Sequence, residues 1–170
     1  TRRRGVGTIV SPSQVHRPVE LTSLMKDLVE AGHKVQTTIQ RYEARPATEN
    51  EADVLKVAEG TLVVHIERTR FTNSEPIAVL TNLIPADIAP TMQELESNSL
   101  YDMMRERGIT LASARQVIGA RTATAKEAKL LSEHRGAALL TTQRTTYDPS
   151  GRVVEYGDHI YRASRYSFEA

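Results

Sequence analysis

Laid over residues 96 to 155 with a shift of 76 and no gap, residues 20 to 79 carry the same residue type at seventeen of the sixty paired positions. Unrelated segments would agree at roughly one position in sixteen, about four in sixty, so the chain is a duplicated unit. Glu20, Ser23, Leu24, Glu30 and Gly32 match Glu96, Ser99, Leu100, Glu106 and Gly108, and Gln40, Ala44 and Arg45 match Gln116, Ala120 and Arg121. Further matches run from Ala47, Thr48, Glu51, Ala52, Leu55 and Gly60 to Ala123, Thr124, Glu127, Ala128, Leu131 and Gly136, and from Arg68, Thr69 and Ser74 to Arg144, Thr145 and Ser150. Two copies of one unit tend to pack about a pseudo-twofold axis, where equivalent side chains face each other across a shared site.

At 170 residues the chain is long enough for one domain with a real core, and 39% hydrophobic with 25% charged residues is an ordinary globular balance. The net charge of +1 gives the body no basic character that would bind nucleic acid by charge alone. Charge is concentrated locally, at Arg2, Arg3 and Arg4. With no cysteine there is no disulfide framework and no thiol chemistry, and no apolar run approaches the roughly 18 residues of a membrane span. A soluble cytoplasmic protein is the expectation. The chain starts at Thr1, so the arginine run reads as the edge of something larger.

Ser11 to Pro18 has two prolines, two serines and no apolar period, and reads as a linker between a basic start, residues 1–10, and a body over residues 19–170. In the body, Leu24, Met25, Leu28 and Val29 form one helical stripe between an N-cap at Ser23 and a stop at Gly32, and Ser99 to Gly108 repeats it. An extended segment, Val35 to Arg45, leads to a short helix announced by the capping box Thr48 and Glu51, repeated at Thr124 and Glu127, with Gly60 as its expected end. A β-rich run from Leu62, a turn at Thr72 to Pro76 and a second run from Ile77 to Ile84 predict a hairpin. Its copy is Leu139 to Tyr147, a turn at Asp148 to Gly151, and Val153 to Tyr161. Each unit is thus helix, strand, helix, strand, strand, and the fold class is α+β with a largely antiparallel sheet and covering helices.

Several stretches resemble the effector-binding (UTRA) domain of bacterial transcription regulators of the GntR family, HutC subfamily. They are Arg68-Thr69-Arg70 with Glu75-Pro76-Ile77-Ala78 and Ile84-Pro85, Ser99-Leu100-Tyr101-Asp102, Asp148 through Val154-Glu155, and Tyr161-Arg162 with Arg165, Tyr166 and Phe168. The resemblance implies a chorismate-lyase-like fold used to bind a small effector, in a dimeric regulator, most often a repressor, that reaches operator DNA through a winged helix-turn-helix. Arg4 to Val10 resembles the last strand of that wing, so the DNA-reading helices would lie upstream of Thr1.

By residue type, Ser23 and Ser99 stand at equivalent helix starts, whose free N–H groups and dipole favour an anion. Arg68 and Arg70 alternate on one strand face, where two guanidinium forks can grip a phosphate or carboxylate. The resemblance implies that Ser23, Arg68, Arg70, Ser99 and Tyr101 serve the phosphate end of an amino-sugar phosphate, and Glu155 and Tyr161 its sugar end. Ten residues beyond Arg70, where those relatives carry a glutamate for sugar hydroxyls, this chain has Leu80, a wall that accepts no hydrogen bond. A buried hydroxyl left without a partner costs about 1 to 3 kcal/mol, so the expectation shifts to another phosphorylated metabolite or a carboxylate with an apolar side. Without the resemblance, the serines are plain N-caps, the arginines a solvated strand face with salt bridges, and Glu155 and Tyr161 surface residues.

The five histidines, at 16, 33, 65, 134 and 159, lack metal-ligand spacing, and neither a cofactor nor a catalytic set is expected. No P-loop, G-x-S-x-G elbow or H-E-x-x-H is present, and Gly5-Val6-Gly7 lacks the rest of a dinucleotide fingerprint. A chorismate-lyase-like enzyme acting on a small carboxylate stays open, because a lyase that needs only a cavity leaves no such motif. A bare oligomerisation module is the third reading, and it leaves the arginine pair unexplained.

Overall fold

The computed structural model describes Gly32 and residues 34–165 of the chain. The expected wing strand, the linker, the helix that begins at Ser23, and Tyr166 and Phe168 lie outside the described residues. In order, the elements are β1 (Val35–Pro46), α1 (Glu49–Leu55), β2 (Leu62–Thr72), β3 (Glu75–Pro85), α2 (Met92–Ser97), α3 (Leu100–Glu106), β4 (Ser113–Thr122), α4 (Ala125–Leu130), β5 (Ala138–Tyr147) and β6 (Val153–Arg162). The six strands form one sheet in the order β1-β2-β3-β6-β5-β4, antiparallel at every junction. The repeat is therefore visible in the topology: β1-β2-β3 and β4-β5-β6 are mirrored in strand order about the β3–β6 junction.

Local chemistry explains the punctuation. Thr48 and Thr124 cap α1 and α4 by accepting from the N–H of Glu51 and Glu127, and each glutamate reaches back to its cap N–H. The β2–β3 hairpin turns through Asn73 and Ser74, both with positive φ, the signature of a turn whose twist matches that of the strands. The β5–β6 connection is longer, and Asp148 Oδ1 holds it by accepting from Ser150 N at 2.9 Å and Arg152 N at 3.0 Å. Gly60 does not end α1 as the sequence predicted. The helix stops at Leu55 with Lys56 as its left-handed cap, and Gly60 sits in the following turn, where its N–H donates to Ala47 O at 3.1 Å. The turn glycine lets the chain fold back beside the end of β1 instead of terminating a helix.

Successive strand residues point to opposite faces, and the apolar ones sort accordingly. On one face Val64, Ile66 and Ile84 pack with Leu95 of α2 and Leu100, Tyr101 and Met104 of α3. On the other, Val63 and Leu83 pack under α1 through Ala52 and Leu55, while Val79, Leu139 and Ile160 pack under α4 through Ala128. Helix α2, capped by Thr91 and Glu94, is an addition that the sequence reading did not place. With α3 it covers one end of the first face and leaves the middle of that face to polar residues.

Candidate effector site

Strand register brings the polar residues together in three neighbouring rows across the sheet. Arg70 stands beside Ala78 and Tyr161, Arg68 beside Leu80, His159 and Thr142, and Asn82 beside Gly157, Arg144 and Gln116. All face the side that α3 covers. The solvated-surface reading of the strand residues fails here: Arg68 is 4% exposed, Arg70 3%, Tyr161 6% and Glu155 0%.

Glu155 is the hub of this cluster. Asn82 Nδ2 donates to its Oε1 at 2.6 Å, and Thr146 Oγ1 and Tyr101 OH donate to its Oε2 at 2.9 and 3.3 Å. Asn82 Oδ1 in turn accepts from Arg68 Nη2 at 3.0 Å, and Arg144 Nη1 donates to the Tyr101 hydroxyl at 3.3 Å while its Nε donates to Gln116 Oε1 at 2.8 Å. Burial raises the Glu155 pKa, and the hydrogen bonds from Asn82 and Thr146 with the nearby Arg144 charge oppose that rise. Burial also raises the Tyr101 hydroxyl, so it stays protonated and donates.

His159 lies between the arginines. Its Nε2 is 3.4 Å from Asn82 Nδ2 and its Nδ1 3.3 Å from Tyr161 OH. Because Asn82 Nδ2 can only donate, the network assigns the lone pair to Nε2 and the proton to Nδ1. Burial first, then the charges of Arg68, Arg144 and Arg70, pull its pKa down to about 3, so it is neutral at physiological pH. Gly157 is required in the next row, since a Cβ there would stand 2.8 Å from Glu155 Oε1 and 2.9 Å from His159 Nε2.

The arginines are less well served. Arg68 Nε and Arg70 Nε and Nη1 are buried without a hydrogen-bond partner among the described residues. Burial pulls Arg68 to about 10 and Arg70 to about 9, values at which both remain cationic near neutrality. Arg68, Arg70 and Arg144 thus face one carboxylate, Glu155, and the cluster carries an excess of positive charge.

Of the residues singled out in the sequence, Arg68, Arg70, Tyr101, Glu155 and Tyr161 share this cluster, and Leu80, 3% exposed, forms its apolar floor between Arg68 and His159. Ser99 is at the start of α3, where its hydroxyl accepts from Asp102 N at 3.2 Å. Ser23 lies outside the described residues. Sequence reasoning missed Asn82, Arg144, Thr146 and His159. Arg144 was signalled, being the repeat partner of Arg68. No cluster of metal-ligating side chains occurs among the described residues. The opposite sheet face has a separate cleft of about 280 Å³, lined in part by Glu67, Thr81 and Asp158.

Against known proteins, a sequence model of the UTRA domain matches residues 30–167. The HTH-type transcriptional repressor NagR of Bacillus subtilis (strain 168) is 31% identical over 170 residues, covering 98% of this chain and 70% of the relative. Among solved structures, a transcriptional regulator from Streptomyces coelicolor superposes with a TM-score of 0.75 at 50% identity, over 81% of this chain and 92% of that one. The effector domain of PhnF from Mycobacterium smegmatis does so with a TM-score of 0.82 at 26% identity, over 91% and 96%.

Proposed function

The chain belongs to the UTRA domain family, the ligand-binding domains of GntR-family transcriptional regulators, and from that premise we propose that it senses a small anionic metabolite through Arg68, Arg70 and Arg144. The observation that carries this is the set of buried guanidinium N–H groups of Arg68 and Arg70 with no hydrogen-bond partner among the described residues. Nearly all buried polar groups in folded proteins are hydrogen-bonded, and a charged donor left unpaired is costlier than a neutral one. A carboxylate or phosphate supplies acceptors in the geometry that guanidinium forks match. Three cations against one carboxylate leave room for a dianion, which favours a phosphorylated compound or a dicarboxylate over a singly charged acid. Leu80 sets an apolar contact beside the anion. Glu155 already accepts from three donors, so it holds Asn82 and Tyr101 in place for the arginines and contacts a sugar hydroxyl only by using its remaining lone pair. Ser23, Ser99 and Tyr161 complete the proposed set.

The relatives are named regulators or repressors, which favours sensing over turnover and leaves the lyase alternative without support. In the proposed scheme the chain works in a cytoplasmic homodimer and acts on operator DNA through a winged helix-turn-helix preceding this domain. A ligand shifts DNA affinity only through different affinities for two arrangements of that dimer.

The test is a thermal-shift screen of the protein against inorganic phosphate, sulfate, phosphorylated sugars, amino-sugar phosphates and small mono- and dicarboxylates, with Arg68→Ala and Arg70→Ala alongside. A ligand at 100 times its Kd stabilises the folded form by about 2.7 kcal/mol. A doubly charged anion is expected to raise the melting temperature of the parent and of neither variant. If no anion moves the parent, or the variants respond equally, the arginines are structural. In the full-length regulator, Arg68→Ala should abolish the effector response while operator binding persists.

A further inference from the structure

In the arginine cluster one base is held without charge among cations. His159 stands between Leu80 and Thr142 in its row, with Arg68 beyond Leu80. Among the described residues, the charged and titratable groups around it are Arg68 and Arg70 from β2, Arg144 from β5, Glu155 and Tyr161 from β6 and Tyr101 from α3, with Asn82 of β3 at its Nε2. Arg68 and Thr142 are each 4% exposed, whereas the imidazole keeps a partial exposure that leaves it open to solvent protons and to a ligand. The arginines stay cationic, and burial keeps both tyrosines protonated. Beside Gly157 the ring has open space. The point where a Cβ would sit is 2.8 Å from Glu155 Oε1 and 2.9 Å from His159 Nε2, so carboxylate and imidazole face one gap.

We propose that His159 sets the charge selectivity of this site: it takes up a proton together with a doubly charged anion, and so favours dianions over monoanions. The inference rests on the anion-sensing reading given above. Three guanidinium groups against Glu155 repel a proton from the ring, and a dianion gripped by those groups cancels the repulsion. Burial, the larger cause of the low His159 pKa, persists and is opposed by the anion and by Glu155. On protonation Nε2 turns from acceptor to donor, gives up its 3.4 Å contact with Asn82 Nδ2 and finds Glu155 Oε1 across the gap at Gly157. Nδ1 keeps its proton, directed at Tyr161 OH. At one distance the imidazolium attracts two charges twice as strongly as one, so the preference for a dianion widens as pH falls.

Sulfate and nitrate are the probes, because neither changes its charge between about pH 5 and 8, where a histidine titrates. Isothermal titration calorimetry of the protein with sulfate, in buffers of different ionisation enthalpy, reads the protons taken up per anion bound. Expected are net uptake in the parent, a sulfate affinity that rises about tenfold from about pH 8 to 5, and a smaller rise for nitrate. His159→Gln, which has a side chain that does not titrate, should remove the uptake and flatten both slopes. A second readout needs no variant: in the NMR spectrum of the parent, one of the five histidine rings should be neutral without sulfate and charged with it at about pH 6. Sulfate bound with pH-independent affinity, uptake that survives in His159→Gln, or no ring that changes charge overturns the role of His159 and leaves the anion-sensing reading standing. Sulfate that binds at no pH overturns both.

Discussion

His159 is the residue whose chemistry is most dictated by its neighbours. Ordinarily titrating near 6.5, it is pulled to about 3 by burial and by the charges of Arg68, Arg144 and Arg70. Between those values the unfolded chain binds the proton and the folded chain does not. The stability contributed by keeping His159 neutral is therefore complete above pH 6.5 and is lost as pH falls towards 3. Glu155 has the opposite sign: burial raises its pKa, so its ionisation subtracts stability as pH rises through the folded value. Replacing His159 with Gln should flatten the acid side of the profile, read as the urea midpoint at steps between about pH 7 and 4. Equal slopes in parent and variant would place the acid sensitivity elsewhere. At this scale the sequence was partly legible. Arg68 and Arg70 stand out because charge alternates on a strand within a stretch that carries the family resemblance, and Arg144 is signalled through its repeat partner. Asn82, Thr146 and Gly157 gave no local signal, since their roles exist only where four strands set them beside one another.

At the scale of elements, the same device appears twice. Thr48 and Glu51 cap α1, and Arg45 closes on Glu51; Thr124 and Glu127 cap α4, and Arg121 closes on Glu127. The guanidinium beside each glutamate holds its pKa at about 2. The two units sit over different parts of the sheet and, among the described residues, share no core cluster. Thr48→Ala and Thr124→Ala should each cost about 1 kcal/mol, and the double variant about the sum, because distant sites add. Chemical denaturation of the three variants checks this, and a clear departure from additivity would mean that the units are coupled through the sheet. Caps and hairpins were read from sequence because their signals are local: a Thr-x-x-Glu spacing, and two β-rich runs around a tight turn. Helix α2 carries that spacing in Thr91 and Glu94, yet its cap lies ahead of the second copy of the repeat, which begins at Glu96, so comparison of the copies does not reach it. Gly60 misled because a glycine after a helix reads as its stop, whereas here it serves the return of the chain to Ala47.

For the molecule as a whole, the duplication read from the sequence becomes two three-stranded halves, and the weakest seam between them is also where the proposed ligand residues gather. The β3–β6 ladder registers six pairs, from Ala78 with Tyr161 to Leu83 with Tyr156, against ten for β2–β3 and ten for β4–β5. Arg68 and Arg70 come from the first half, and Tyr101, Arg144, Glu155 and Tyr161 from the second. An anion gripped by both sets would have to be released before the halves separate, so binding adds its free energy to that opening in particular. Local fraying of an outer strand, β1 or β4, leaves the anion in place and gains nothing. Hydrogen exchange should therefore slow at the amides of Ala78 to Leu83 and Tyr156 to Tyr161 when the stabilising anion is added, and slow much less in the outer strands β1 and β4. Arg70→Ala should erase the difference without changing exchange in the unliganded protein elsewhere. Slowing that is uniform across the sheet would mean that the halves open only with global unfolding, and the anion would then be a stabiliser of the fold rather than a clasp between its two copies.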